Sequence, residues 1–82
     1  MAKNKFDLDH QYDLYLQRVD LNENTMRPEQ KLQVKDAFYG GIGQFLMLTQ
    51  TDIVELSEEE ACNVLDDIES QISNYFLSRS IS

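Results

Sequence analysis

Three basic residues, Arg27, Lys31 and Lys35, recur every four positions around a proline. Residues four apart share one face of a helix. Pro28 suits the first helical turn, because its missing N–H would have had no intrahelical partner there. The free N–H groups of a helix amino terminus favour anions, and a nearby cation strengthens that preference. The pattern allows binding of a phosphodiester or a carboxylate, while pairing with neighbouring carboxylates on a solvated surface is the more common use of such residues.

Aromatic residues form a second group with possible binding chemistry. Tyr12 and Tyr15 lie three apart, as do residues on one helix face, and Phe38 and Tyr39 follow in the next periodic segment. Their rings are suited to stacking on a planar ligand. The alternative is that they are core or interface residues whose hydroxyl groups lie at the edge.

The sequence shows no pattern typical of catalysis or metal binding. It has one histidine, His10, one cysteine, Cys62, and no HExxH, CxxC, GxSxG or Walker-type motif. A single cysteine cannot form an internal disulfide, which favours a reducing compartment, and Cys62 beside the apolar Ala61 is predicted to be partly buried. We predict that the protein is not an enzyme and has no cofactor or metal.

Length and composition limit the possible function classes. The chain has 82 residues, 7 Lys plus Arg against 15 Asp plus Glu, and a net charge of -8. Its length predicts one domain, and its acidity argues against coating of long nucleic acids. Its amino terminus has no signal-peptide pattern, and the longest apolar run, residues 45–48, is too short to cross a bilayer. We therefore expect a soluble, cytosolic protein.

Three amphipathic helices account for the hydrophobic periodicity. We predict an all-α fold, a compact helical hairpin preceded by a short amino-terminal helix, within a single domain of residues 1–82. The helices are expected at about 6–21, about 28–48 with a possible continuation to 56, and about 58–77. Ser57 and Glu60 predict a capping box at the start of the third helix. The tail from Ser78 to Ser82 is expected to fray.

The second predicted helix is apolar on two sides and contains Gly40, Gly41 and Gly43. Glycine in a helix interior costs about 1 kcal/mol relative to alanine. A close backbone approach by another helix, or a local kink, would compensate. Since two flanking helices cannot cover both apolar sides, we predict a homo-oligomer with an interface around these glycines.

The order of these features resembles a known family. The segments that carry the resemblance are Tyr12-x-x-Tyr15-Leu16-x-Arg18-Val19, Thr25-Met26-Arg27-Pro28-x-Gln30, Ala37-Phe38-Tyr39-Gly40-Gly41-x-Gly43-Gln44, and a third acidic helix ending in Gln71 and Asn74-Tyr75-Phe76. Together they resemble the small bacteriophage anti-CBASS family of cyclic-oligonucleotide sponges, over nearly the whole chain.

The resemblance implies a homohexamer in the cytoplasm of an infected bacterial host. It would bind cyclic dinucleotides such as cyclic GMP-AMP, and at separate sites cyclic trinucleotides, without cleaving them. Activation of CBASS effectors would be blocked by mass action. By matching position, Tyr12 would stack on a purine and Arg27 would meet a phosphate, a place where the family can present lysine. Nearby substitutes are Tyr15 and Lys31, and candidates for the trinucleotide sites are Arg18, Phe38 and Gln44.

Two other function classes fit the sequence. An acidic inhibitor could present the third helix to a basic protein surface as a mimic of DNA phosphates. The carboxylates that would do so are Glu58, Glu59, Glu60, Asp66, Asp67 and Glu69. A structural or virion-assembly protein would need only the interface on the second helix.

Overall fold

The computed structural model describes residues 4–81 and places most of them in helices. The α-helices are α1 (Leu8–Arg18), α2 (Pro28–Thr51) and α3 (Glu58–Ile81), with short 3₁₀ helices at Glu23–Thr25 and Ile53–Glu55. No strand occurs within residues 4–81, so the predicted all-helical class with three α-helices is confirmed. The chain divides into two compact units, an amino-terminal unit that ends at Gln44 and a carboxy-terminal unit that begins at Phe45.

A turn around Asn4 precedes α1. The Asn4 side-chain oxygen accepts a hydrogen bond from the Phe6 N–H at 2.8 Å, and its carbonyl accepts one from the Asp7 N–H at 3.1 Å. The Gln11 side-chain amide donates to the Lys5 carbonyl at 2.7 Å. These bonds hold residues 4–7 in a turn, so α1 begins at Leu8 and not at residue 6.

The end of α1 is a Schellman motif. The Leu21 N–H donates to the Leu16 carbonyl at 2.9 Å, and the Asp20 N–H donates to the Gln17 carbonyl at 3.3 Å. Asp20 has a φ of 58°, the left-handed conformation that this motif requires and that glycine adopts most easily. The motif ends α1 at Arg18, three residues before the predicted boundary.

Replacing Asp20 with glycine is expected to stabilise the protein. Relief of the left-handed strain is worth about 1–2 kcal/mol, and the greater freedom of glycine in the unfolded chain offsets about 0.4–1 kcal/mol of it. We expect Asp20→Gly to raise the free energy of unfolding by about 0.5–1 kcal/mol in urea denaturation followed by far-UV circular dichroism. Asp20→Asn should be nearly neutral, since asparagine also tolerates this conformation. A loss of stability in Asp20→Gly would contradict the assignment.

A small core holds α1 against the first part of α2. Tyr12, Leu16 and Met26 are buried, and Tyr15, Val34 and Phe38 pack around them. Met26 reaches this core because the preceding 3₁₀ turn is fixed locally: the Asn22 side chain accepts from the Asn24 N–H at 2.9 Å. The Asn22 carbonyl accepts from the Thr25 hydroxyl at 2.8 Å.

The glycines of α2 have no packing partner among the residues that the structure describes. Helix α2 is continuous through all three of them, and none has a positive φ. A Cβ added at Gly40, Gly41 or Gly43 would meet no atom within 4 Å. The close backbone approach that the sequence predicted is therefore not present among residues 4–81. Helix α2 then continues to Thr51, beyond the predicted 48, and the hydroxyl of Thr51 donates to the Met47 carbonyl at 2.7 Å.

A capping box begins α3, as predicted. The Ser57 hydroxyl accepts from the Glu60 N–H at 3.1 Å, while the Glu60 carboxylate accepts from the Ser57 N–H at 3.2 Å. In this carboxy-terminal unit α3 packs against the 3₁₀ helix Ile53–Glu55, where Ile53 is buried. Helix α3 extends to Ile81, four residues beyond the predicted end.

Candidate ligand site

Tyr12 lies at the centre of the amino-terminal unit, with only 2% of its surface exposed. Its hydroxyl donates to the Glu23 carboxylate at 3.2 Å. Burial raises the pKa of the Tyr12 phenol, and the bond to Glu23 raises it further. Tyr12 is thus a core residue with its hydroxyl at the edge, the alternative that the sequence left open.

Phe38 joins the aromatic residues of α1 to those of α2. Its ring centroid lies 5.4 Å from Tyr12, 5.2 Å from Tyr15 and 5.9 Å from Tyr39. The interplanar angles of 55°, 34° and 75° are tilted or edge-on, as aromatic pairs prefer. We call Tyr12, Tyr15, Phe38 and Tyr39 the aromatic cluster. It contains three of the seven residues that the sequence suggested for ligand binding.

The cation that lies over this cluster is Lys35. Its Nζ is 5.5 Å from the Tyr12 ring centroid and 5.9 Å from that of Tyr39, within the range of a cation–π interaction. The same Nζ is 3.6 Å from Asp9 Oδ1, which also accepts a hydrogen bond from the Tyr39 hydroxyl. The sequence placed Lys35 only in a basic row. The four-residue spacing of Lys35 and Tyr39 was the sequence signal for the contact between these two side chains. The pairing of Asp9 with Lys35 and Tyr39 could not be predicted without the fold.

The bond to Asp9 gives Tyr39 a distinctive titration. The hydrogen bond to Asp9 raises the pKa of Tyr39 to about 12, and the negative charge of Asp9 adds to the effect. An unfolded chain releases this proton near its ordinary pKa of about 10. Because a raised phenol pKa favours the protonated folded state, this contribution to stability is complete below pH 10 and is lost as the pH rises to about 12.

A spectrophotometric titration of the phenols checks this expectation. Tyr39→Phe should remove the phenol that titrates near pH 12 and leave the others in place. Asp9→Asn should return the Tyr39 transition towards pH 10, whereas Asp13→Asn, the same change on the same helix, should have a much smaller effect. An unshifted Tyr39 in the wild type would contradict the hydrogen bond.

An apolar cavity opens beside the cluster. Its volume is about 350 Å³, and its walls are Tyr15, Leu21, Val34, Ala37 and Phe38. A larger cavity of about 620 Å³ lies at the carboxyl end of α1. The walls of that cavity include three carboxylates, from Asp13, Asp20 and Glu23. Since these would repel an anion, the smaller apolar cavity is the better candidate for a nucleotide base.

The other predicted ligand residues are exposed, and they lie on α1, on α2 or, for one of them, directly before α2. They are Arg18, Arg27, Lys31 and Gln44. The Arg27 carbonyl accepts from the Lys31 N–H at 3.0 Å, so Arg27 directly precedes the first turn of α2. Tyr12 differs from these, because both its exposure and its contacts leave no open ring face for a base. Stacking on Tyr12 would require α1 and α2 to separate, whereas Tyr15 is half-buried and already lines the cavity.

Other possible sites are limited. In residues 4–81, no group of three or more His, Cys, Asp and Glu side chains is arranged to hold a metal ion. Within that same range, none of the helices combines the length and apolarity needed to span a bilayer. The Cys62 thiol is exposed, so the prediction that it is partly buried was wrong.

Comparisons of the chain with protein-family models, curated proteins and solved structures found no match.

Proposed function

We propose that this protein binds cyclic oligonucleotide second messengers and sequesters them without cleavage. The ligands are cyclic dinucleotides such as cyclic GMP-AMP and, at separate sites, cyclic trinucleotides. Sequestration would take place in the cytoplasm of a phage-infected bacterium and would prevent activation of CBASS effectors. The observation that carries the proposal is the aromatic-walled cavity of Tyr15 and Phe38 in an otherwise acidic chain.

The cavity suits one base of such a ligand. Its volume of about 350 Å³ is at the lower end of the range of known small-molecule sites, about 300–1,000 Å³. Stacking of a base on an aromatic side chain contributes about 1–3 kcal/mol. In this proposal Tyr15 takes the stacking role first given to Tyr12, because its ring lines the cavity while Tyr12 is covered.

The phosphates require local positive charge. Arg27 and Lys31 are exposed at the start of α2, where free backbone N–H groups also favour anions. A cyclic dinucleotide carries two phosphate charges and can bind at such a local site. A long nucleic acid would be repelled by the net charge of -8. Arg18, Phe38 and Gln44 stay predictions for the trinucleotide sites.

Assembly into a homohexamer of helical hairpins is part of the proposal. Three glycines in one helix cost about 3 kcal/mol relative to alanine, and no described part of the chain lies where their Cβ atoms would be. An approach by the backbone of a second copy would explain why these positions lack side chains. Sedimentation at micromolar concentration should therefore give a mass well above the 9.6 kDa of one chain.

Calorimetric titration with cyclic GMP-AMP tests the binding. The complex is then denatured and the ligand identified by chromatography. Binding with recovery of the intact cyclic dinucleotide supports a sponge, whereas a cleaved product would show an enzyme. Tyr15→Ala should weaken binding at least ten-fold, and Tyr15→Phe, which keeps the ring, should leave it nearly unchanged. Equal affinity in all three proteins would remove the cavity from the site.

A second candidate function is an acidic inhibitor of a nucleic-acid-binding protein. The observation that favours it is on α3, where all six carboxylates between Glu58 and Glu69 are exposed. Binding of a basic partner would then weaken strongly with salt and depend on these acids. Absence of heat with every cyclic di- and trinucleotide, together with such a salt-dependent partner, would favour this function over the sponge.

A further inference from the structure

We propose that α3 pairs antiparallel with α3 of a second copy of this chain. The contact surface, which we call the α3 seam, consists of Leu65, Ile68, Ile72 and Tyr75. This interface is separate from the glycines of α2 and does not depend on a ligand. Calorimetry tests the sponge function, so failure of one proposal leaves the other standing.

The spacing of the seam is that of a coiled coil. Its residues are separated by three, four and three positions, which is the heptad pattern of helices that pack along their whole length. In this structure Leu65, Ile72 and Tyr75 are 42%, 55% and 60% exposed, and Ile68 is half-buried. A helix of 24 residues takes most of its stability from packing of its apolar face. The seam is such a face, and it is largely unpacked.

Charge determines the direction of the pair. The six carboxylates of α3 all lie between Glu58 and Glu69, whereas residues 70–81 contain no acid and one cation, Arg79. A parallel pair would place the two acidic halves side by side. An antiparallel pair places each acidic half beside the uncharged or basic half of the other copy, and it also opposes the helix dipoles. The charge distribution of α3 is therefore complementary to that of a second α3 only in the antiparallel direction.

One register of the antiparallel pair brings the seam residues of both copies into contact and also aligns the helix ends. It places Leu65 against the partner's Tyr75 and Ile68 against the partner's Ile72, and in it the two helices overlap over nearly their full length. Ala61 then faces the partner's Arg79, whose guanidinium group comes within one turn of Glu58. The one unfavourable meeting is between the two copies of Glu69, which lie on the same side near the two-fold axis.

Disulfide trapping on the full chain tests both contact and direction. Cys62 is the only native cysteine and is replaced by serine. Two single-cysteine proteins, Ile68→Cys and Ile72→Cys, are then made, one of them carrying a mass tag. Oxidised together, they should give mainly the mixed disulfide dimer on non-reducing electrophoresis, because residues 68 and 72 face each other only in the antiparallel pair. Ser70→Cys, on the outer face of α3, is the control and should stay monomeric.

The other outcomes overturn the proposal. Disulfides that mainly join two copies of the same variant, 68 to 68 or 72 to 72, would show a parallel pair. A disulfide yield no higher than that of Ser70→Cys would show that the seam is not a contact between copies. Sedimentation gives an independent measure. Ile72→Glu should weaken self-association at least ten-fold, while Ser73→Glu, the same charge one position away from the seam, should leave it within two-fold. An equal effect of the two changes would also overturn it.

Discussion

Tyr12→Ala is expected to lower the free energy of unfolding by about 3–4 kcal/mol. Tyr12 is buried and contacts Phe38 and Lys35, and truncation of a buried aromatic residue to alanine costs about 3–5 kcal/mol. A chain of this length has a total stability of roughly 4–12 kcal/mol. The substitution should therefore unfold much of the amino-terminal unit, as seen in urea denaturation followed by far-UV circular dichroism.

Two controls separate packing from chemistry at Tyr12. Tyr12→Phe keeps the ring and removes the bond to Glu23, so it should cost only about 1 kcal/mol. Phe6→Ala removes an aromatic ring that is 82% exposed and should change stability by less than about 0.5 kcal/mol. If Tyr12→Ala were as stable as Phe6→Ala, Tyr12 would not be a core residue, and its ring would be available for stacking after all.

Arg27→Ala is expected to weaken binding of cyclic GMP-AMP by about 10- to 100-fold. This range corresponds to one charge-assisted hydrogen bond, about 1.5–3 kcal/mol. Because Arg27 is exposed, stability should change by less than about 0.5 kcal/mol. Calorimetry gives the affinity, and a urea titration confirms that the variant is folded.

Matched variants show whether the effect belongs to that position. Arg27→Lys keeps the charge but loses the two-pronged geometry, so an intermediate affinity is expected. Arg79→Ala removes the same group from the carboxy-terminal unit and should bind like the wild type if the phosphate site is at Arg27. Equal losses in Arg27→Ala and Arg79→Ala would indicate a general effect of net charge, and no loss in either would exclude Arg27 from the site.

The starts of α2 and α3 could be predicted from the sequence because their signals are local, whereas α1 begins two residues after its predicted start. Pro28 begins α2 and the Ser57–Glu60 box begins α3, as expected from residues within one turn. The helix ends were harder to predict. Helix α1 ends in a motif whose left-handed residue is Asp20, a type that gives a weaker signal than glycine. The pattern after Leu48 was ambiguous because threonine is compatible with either a bend or a continued helix, and Thr51 lies within α2.

The candidate site was only partly predictable, for a different reason. Residue types and helical spacing indicated the aromatic residues and the basic row separately. Which of them meet depends on packing between α1 and α2, which spacing along one helix does not determine. Burial of Tyr12, the position of Lys35 over two rings and the bond from Tyr39 to Asp9 all arise from that packing. The apolar cavity is likewise a product of two helices and the turn after α1.

The distribution of aromatic residues also gives the protein a built-in spectroscopic reporter. The chain has no tryptophan and four tyrosines, of which Tyr12, Tyr15 and Tyr39 belong to the aromatic cluster and only Tyr75 lies on α3. Near-UV circular dichroism therefore follows mainly the amino-terminal unit, while the far-UV signal follows all three helices. If the two thermal transitions coincide, the two units unfold as one cooperative block, and if they separate, the interval between them measures how independently each unit unfolds.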